Sequence, residues 1–131
     1  MFKAIVAGSG DQRVIAMDSI SQVTQEDAGA IVVSGSHGGR SSAEIALEFP
    51  LRAVFFNDAG IGKDDADIAA LEILQARGVA AGTIAHTSGR IGDAHDIWEH
   101  GVISRANAAA RALGCVPGTR LQTLLARLLG D

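Results

Sequence analysis

The chain has no tyrosine, one cysteine, one tryptophan and two prolines among its 131 residues. Each scarcity excludes something. Without tyrosine, a general acid has to be a histidine, lysine, aspartate or glutamate. The lone Cys115 permits no internal disulfide, which fits a reducing, cytoplasmic setting. Its neighbours, Leu113-Gly114 and Val116-Pro117, suit a small residue packed past a helix end better than a reactive thiol. No apolar run reaches the roughly 18–20 residues of a membrane span. The opening Met1-Phe2-Lys3-Ala4-Ile5-Val6 lacks the basic flank and small-residue cleavage site of a secretory signal and reads as a first strand. Lysine occurs only at positions 3 and 63, the formal net charge is −4, and acids lie along the whole chain. Nothing resembles a basic footprint for nucleic acid. The expected setting is cytoplasmic, with neither membrane nor nucleic acid as partner.

What is present is a folded-domain composition, 47% hydrophobic and 20% charged, in a chain long enough for one core. Two strands, Phe2 to Ala7 and Arg13 to Val23, flank the turn cluster Gly8-Ser9-Gly10-Asp11-Gln12 and read as a hairpin. Gly8-Ser9-Gly10 is not a dinucleotide fingerprint, because Arg13 occupies the place of the third glycine and a strand follows. Thr24 to Asp27 reads as a capped single helical turn. From Ala30 onward apolar runs alternate with helical patterns. Ala30–Val33 leads to a helix over Ala43–Phe49, ended by Pro50. Ala53–Phe56 leads to a helix opened by Asp64 and Asp65 and closed at Arg77-Gly78. Val79–Ala85 leads to a long helix from Asp93 or Ala94 to Leu113, with Gly101 a point where it can break in two. A last helix, Thr119 to Leu129, carries a stripe of Leu121, Leu124, Leu125 and Leu128 that either packs on the domain or forms a subunit interface. The pattern predicts a single α/β domain. Its sheet is mostly parallel, of about five strands, with an N-terminal hairpin and helices on both faces, Rossmann-like in its three layers but not a dinucleotide binder.

Three of the apolar runs break into polar, glycine-rich loops, and in a parallel sheet such loops gather at the carboxyl edge where ligands bind. In the first, Gly35, Ser36, Gly38 and Gly39 surround His37, so backbone N–H groups can cradle an anion and the imidazole can exchange a proton near neutral pH. His37-Gly38-Gly39 has the composition of a lipase oxyanion stretch, but the G-x-S-x-G elbow that such enzymes need is absent. In the second, Asn57 and Asp58 stand where a buried strand runs out, a place for a ligand contact or proton acceptor. Gly60-Ile61-Gly62-Lys63 looks like the end of a phosphate loop, yet Asn57 stands where its first glycine belongs and Asp64 where Ser or Thr would hold Mg²⁺. Lys63 remains a candidate to neutralise a carboxylate or act as a Schiff-base amine. In the third, Ser88 and Arg90 follow the strand, and a guanidinium there suits bidentate binding of carboxylate or phosphate.

Further on, Asp93, Asp96 and His100 share a helix face at spacings that can hold a cation, although such clusters are more commonly solvated. No metal or cofactor is assigned. Ser104 and Asn107, set among Ala, Val and Ile, need partners if buried. The pattern points to a small-metabolite protein whose ligand is a carboxylate or phosphate. His37, Asp58 and Lys63 are the catalytic candidates for hydrolysis, elimination or isomerisation. Gly35, Ser36, Gly38, Gly39, Asn57, Ser88 and Arg90 are the binding candidates. A non-catalytic ligand-binding or assembly subunit is the alternative. So short a chain rarely encloses a deep pocket alone, so a homo-oligomer is expected.

Overall fold

A computed structural model describes residues 1–130, the side chains of Asp64 and Asp67 excepted. Asp64, expected to open a helix, therefore has a side chain outside the described residues. One sheet holds strands β1 (Lys3–Ser9), β2 (Gln12–Met17), β3 (Ile31–His37), β4 (Ala53–Asn57), β5 (Ala80–Ile84) and β6 (Ile103–Ala106). Their order across the sheet is the order of the chain. Pairing is parallel from β2 to β5 and antiparallel at both margins. The helices are α1 (Arg40–Ala46), α2 (Ala70–Gln75), α3 (Ala94–His100), α4 (Ala108–Ala112) and α5 (Leu121–Leu128). None is long and apolar enough to cross a membrane.

The continuous apolar runs of β3 and β4 follow from burial on both faces, since successive strand side chains point opposite ways. Val32, Val54 and Phe56 join Ile15, Met17, Ala43, Ala46, Leu71 and Leu74 in one cluster. Ile31, Val33 and Phe55 join Ile84, Ile97, Leu121, Leu124 and Leu125 in another. The first cluster takes residues from every connection between β2 and β5, as same-handed crossovers in a sequential sheet require. The second takes residues from α3 and α5. The leucine stripe of α5 is thus spent inside the domain.

Several elements depart from expectation. The long helix is broken by β6, so the sheet has six strands rather than about five. Gly101 ends α3, where a Cβ would lie 2.3 Å from the Ile97 carbonyl oxygen, and the β-branched Val102-Ile103 pair then favours a strand. The helix expected after Lys63 is a 3-10 turn, Lys63–Ile68, followed by the short α2. Asp65 in that turn has a φ of 59°, which no continuous helix accommodates. Strand β2 stops at Met17, after which Ser19 caps the turn Ile20–Gln22. Strand β3 runs on through Ser34, Gly35 and Ser36 to His37, across an irregularity in its pairing with β4.

After β5 the chain crosses the carboxyl edge of the sheet to reach α3. Gly92 N–H donates to the Gly35 carbonyl at 2.8 Å, and Ala94 N–H donates to Asp18 Oδ1 at 2.9 Å. This strap roofs the edge on which the site sits.

Candidate functional site

Asn57 and Asp58 end the buried strand β4 and are themselves buried. Asn57 reaches across the edge, its Nδ2 donating to the Gly89 carbonyl at 2.7 Å. It also pairs in register with His37 of β3 and Ile84 of β5. The three loops therefore meet on one rim. Asp58 Oδ1 accepts from Gly60 N–H at 2.9 Å and His86 N–H at 3.1 Å. It also lies 3.0 Å from His86 Nδ1. The Asp58 side chain is 6% exposed and that of His86 is 52% exposed, so a sheltered carboxylate holds a half-exposed ring.

Burial pushes the Asp58 carboxyl up, but hydrogen bonds from Gly60, Ser104 and His86 outweigh it and leave it below its ordinary value of 3.8. An ionised Asp58 fixes the proton of neutral His86 on Nδ1 and leaves Nε2 as the outward acceptor. A carboxyl made more acidic by folding stabilises the fold above its ordinary value and loses that contribution as pH falls through its native value. Urea titrations should therefore show Asp58→Asn less stable than the parent near neutral pH, with the gap narrowing as pH drops below 3.8. A gap independent of pH would contradict the charge assignment.

The exposed side of His86 lines an open cleft of about 540 Å³ with Ala59, Thr87, Gly89, Arg90 and Asp96. Arg90 N–H donates to Asp96 Oδ2 at 2.8 Å. That bond, and His100 after it, hold the Asp96 carboxyl below its ordinary value. Among the described residues the Arg90 guanidinium makes no hydrogen bond or close ion pair, which leaves its donors for a ligand. Beside the cleft, Ala59 and Ile61 have φ of 50° and 75°. A β-branched residue is rarely left-handed, and such strain gathers at functional loops.

The other sequence candidates have these places. His37, at the end of β3, is exposed and folds over Gly39, where a Cβ would lie 2.5 Å from its Cε1. Lys63 is exposed and opens a 3-10 turn. Neither lines the cleft. Gly35 is required by packing, since a Cβ there would lie 2.4 Å from the Asp18 carbonyl oxygen and 2.9 Å from Gly92. Ser36 Oγ accepts from Ile20 N–H at 3.0 Å. Gly38 N–H donates to the Asn57 carbonyl at 3.1 Å. Ser88 lines the cleft, and its hydroxyl bridges the Ala85 carbonyl at 2.8 Å and Val102 N–H at 2.9 Å.

Asp93 caps α3 through Asp96 N–H at 3.0 Å, and Asp96 Oδ1 lies 3.1 Å from His100 Nδ1. Among the described residues no three His, Cys, Asp or Glu side chains converge on a cation site. Burial pushes the Cys115 thiol up to about 11, so it is a packed neutral group.

No known family, curated protein or solved structure matches this chain. The geometry alone carries the functional reading.

His86 is the residue that sequence reasoning missed as a partner for Asp58. One signal pointed to it: Asp58 and His86 stand just past the ends of consecutive apolar runs that become neighbouring parallel strands. A larger cleft of about 710 Å³ lies between α2 and α4. Its buried amide, Asn107, is spent on backbone groups, so the chemistry favours the smaller one.

Proposed function

We propose that the protein binds a small anionic metabolite, a carboxylate or phosphate, at the carboxyl edge and carries out acid/base chemistry on it. The observation that carries this reading is the 3.0 Å contact between sheltered Asp58 and half-exposed His86. In it, Asp58 orients the imidazole and offsets the charge that appears when Nε2 takes a proton. The Arg90 guanidinium, drawn by the charge of Asp96 but hydrogen-bonded to no described side chain, suits the anionic end of the substrate. Proton abstraction, elimination and hydrolysis all begin with that transfer. The acid/base role thus passes from His37 to His86, because His86 contacts Asp58. A Rossmann-like, hairpin-led sheet layered between helices serves as the platform, without a dinucleotide.

The openness of the cleft favours a second reading, a ligand-binding subunit with no chemistry, since proton transfer gains from excluding water. Both readings predict that a panel of small carboxylates and phosphates contains a stabilising ligand. At 100 times its dissociation constant such a ligand adds about 2.7 kcal/mol, and Arg90→Ala should abolish the thermal shift. A flat response across the panel would rule out both.

A further inference from the structure

Ser104 carries a hydroxyl to which the Asp58–His86 pair alone gives no role. It stands in β6 at an irregularity of the sheet. Thr83 pairs with Arg105 and Ile84 with Ile103, so Ser104 has no residue of its own opposite it. Such a bulge re-aims a side chain, and bulges gather beside active sites. Here the Ser104 hydroxyl is aimed at that of Thr83, 2.9 Å away. Thr83 is wholly buried and Ser104 half-buried. Among the described residues, Ser104 is the hydrogen-bond partner of the Thr83 hydroxyl.

The register brings Asp58 to the same place. Thr83 pairs with Phe56, and side chains two positions apart along a strand share a face. Asp58 N–H donates to the Ile84 carbonyl at 2.9 Å. The ladder thus continues one residue past β4, and Asp58 follows Phe56 on that face. There the Ser104 hydroxyl is hydrogen-bonded to the Asp58 carboxyl. An ionised carboxylate can only accept, so Ser104 donates to Asp58. A hydroxyl has one proton, so Thr83 donates to Ser104. The Thr83 carbonyl, 3.3 Å from Ser104 Oγ, competes weakly for the serine proton, being distant and uncharged. Hydrogen bonds then run one way, from Thr83 through Ser104 to Asp58. On its other side Asp58 takes the Nδ1 proton of His86 at 3.0 Å.

We propose that Ser104 is a positioning residue: backed by Thr83, it ties the Asp58 carboxylate to the sheet, so that Asp58 keeps the His86 proton on Nδ1. The role rests on the acid/base reading of that pair. The other donors to Asp58, at Gly60 and His86, come from loops. Ser104 comes from a strand, so it fixes the carboxylate to the rigid part of the molecule. A carboxylate already held in place need not reorganise when the ring takes a proton. Ser104 is not a nucleophile in this arrangement. Its proton goes to Asp58 and not to the ring, so the base that would activate it is engaged elsewhere.

Nuclear magnetic resonance of the isotope-labelled protein reads this hold directly. In Ser104→Ala, loss of a donor to the charged form should raise the titration midpoint of the Asp58 carboxyl. The ring nitrogens of His86 should show a smaller share of the Nδ1–H tautomer. A serine that only packs the sheet would move neither reading. Ser104→Thr keeps the hydroxyl and should return both to the parent values. If Ser104→Ala does not fold, Thr83→Val combined with Ser104→Ala removes both hydroxyls of the pair at nearly constant shape. It should give the same two changes. An alanine variant in which either reading stays at the parent value would overturn the proposal, as would a threonine variant that behaves like alanine. The measurement needs no substrate. Its failure therefore leaves the acid/base reading of Asp58 and His86 standing, since that reading fails on turnover.

Discussion

Replacing His86 with glutamine should lower turnover of the protein's substrate by about 10²–10⁴-fold, the usual contribution of a positioned acid/base group. The fold should survive, because the His86 side chain is 52% exposed and glutamine keeps an amide donor for Asp58. Asp58→Asn should follow with a loss of similar direction, since the neutral amide no longer holds the Nδ1 proton of the ring. Arg90→Ala should behave differently, weakening ground-state binding with little change in kcat. The measurement is steady-state kinetics on whichever anion stabilises the protein. If His86→Gln changes ligand affinity and no turnover is found for the parent, the non-catalytic reading stands. If His86→Gln turns over at the parent rate, the acid/base assignment fails.

The largest effect on stability is expected at Asn107, which lines the cleft between α2 and α4 and not the one at His86. The residue is 7% exposed. Its Oδ1 accepts from Ala81 N–H at 3.1 Å and Ala110 N–H at 2.9 Å. Its Nδ2 donates to the Val79 carbonyl at 2.9 Å and the Leu71 carbonyl at 3.2 Å. One amide thus joins α2, β5 and α4. Asn107→Ala strands these buried backbone groups, and each unpaired group costs about 1–3 kcal/mol. The net loss should be about 4 kcal/mol, in the range seen when buried networks break. Asn107→Asp should be worse, because a carboxylate oxygen would face two carbonyl oxygens. Urea unfolding tests this. A loss below about 1 kcal/mol would mean that the network does not support the fold.

Much of the fold was legible because it rests on local chemistry. The runs Ile31–Val33 and Ala53–Phe56 became central parallel strands, and the leucines of α5 became core. The turn cluster after Gly8 joined two antiparallel strands. The segment Val102–Ala106 was not legible as a strand. Its alanine-rich surroundings suit a helix, and only pairing with β5 makes an extended chain the better solution. The candidate site divides in the same way. Asp58 and Arg90 were marked by their places after strands and among glycines. The choice of His86 as partner for Asp58 depended on which ring lay within reach, 28 positions further along the chain.

By itself, then, the sequence determined the apolar runs, the turns and caps, and the edge at which polar loops gather. Each of these follows from residues only a few positions apart. Tertiary structure alone decided that the sheet has a sixth strand, that Gly35 makes room for Gly92, and that Asp58 holds His86. Those outcomes depend on hydrogen bonds and close approaches between distant parts of the chain, which no local propensity encodes.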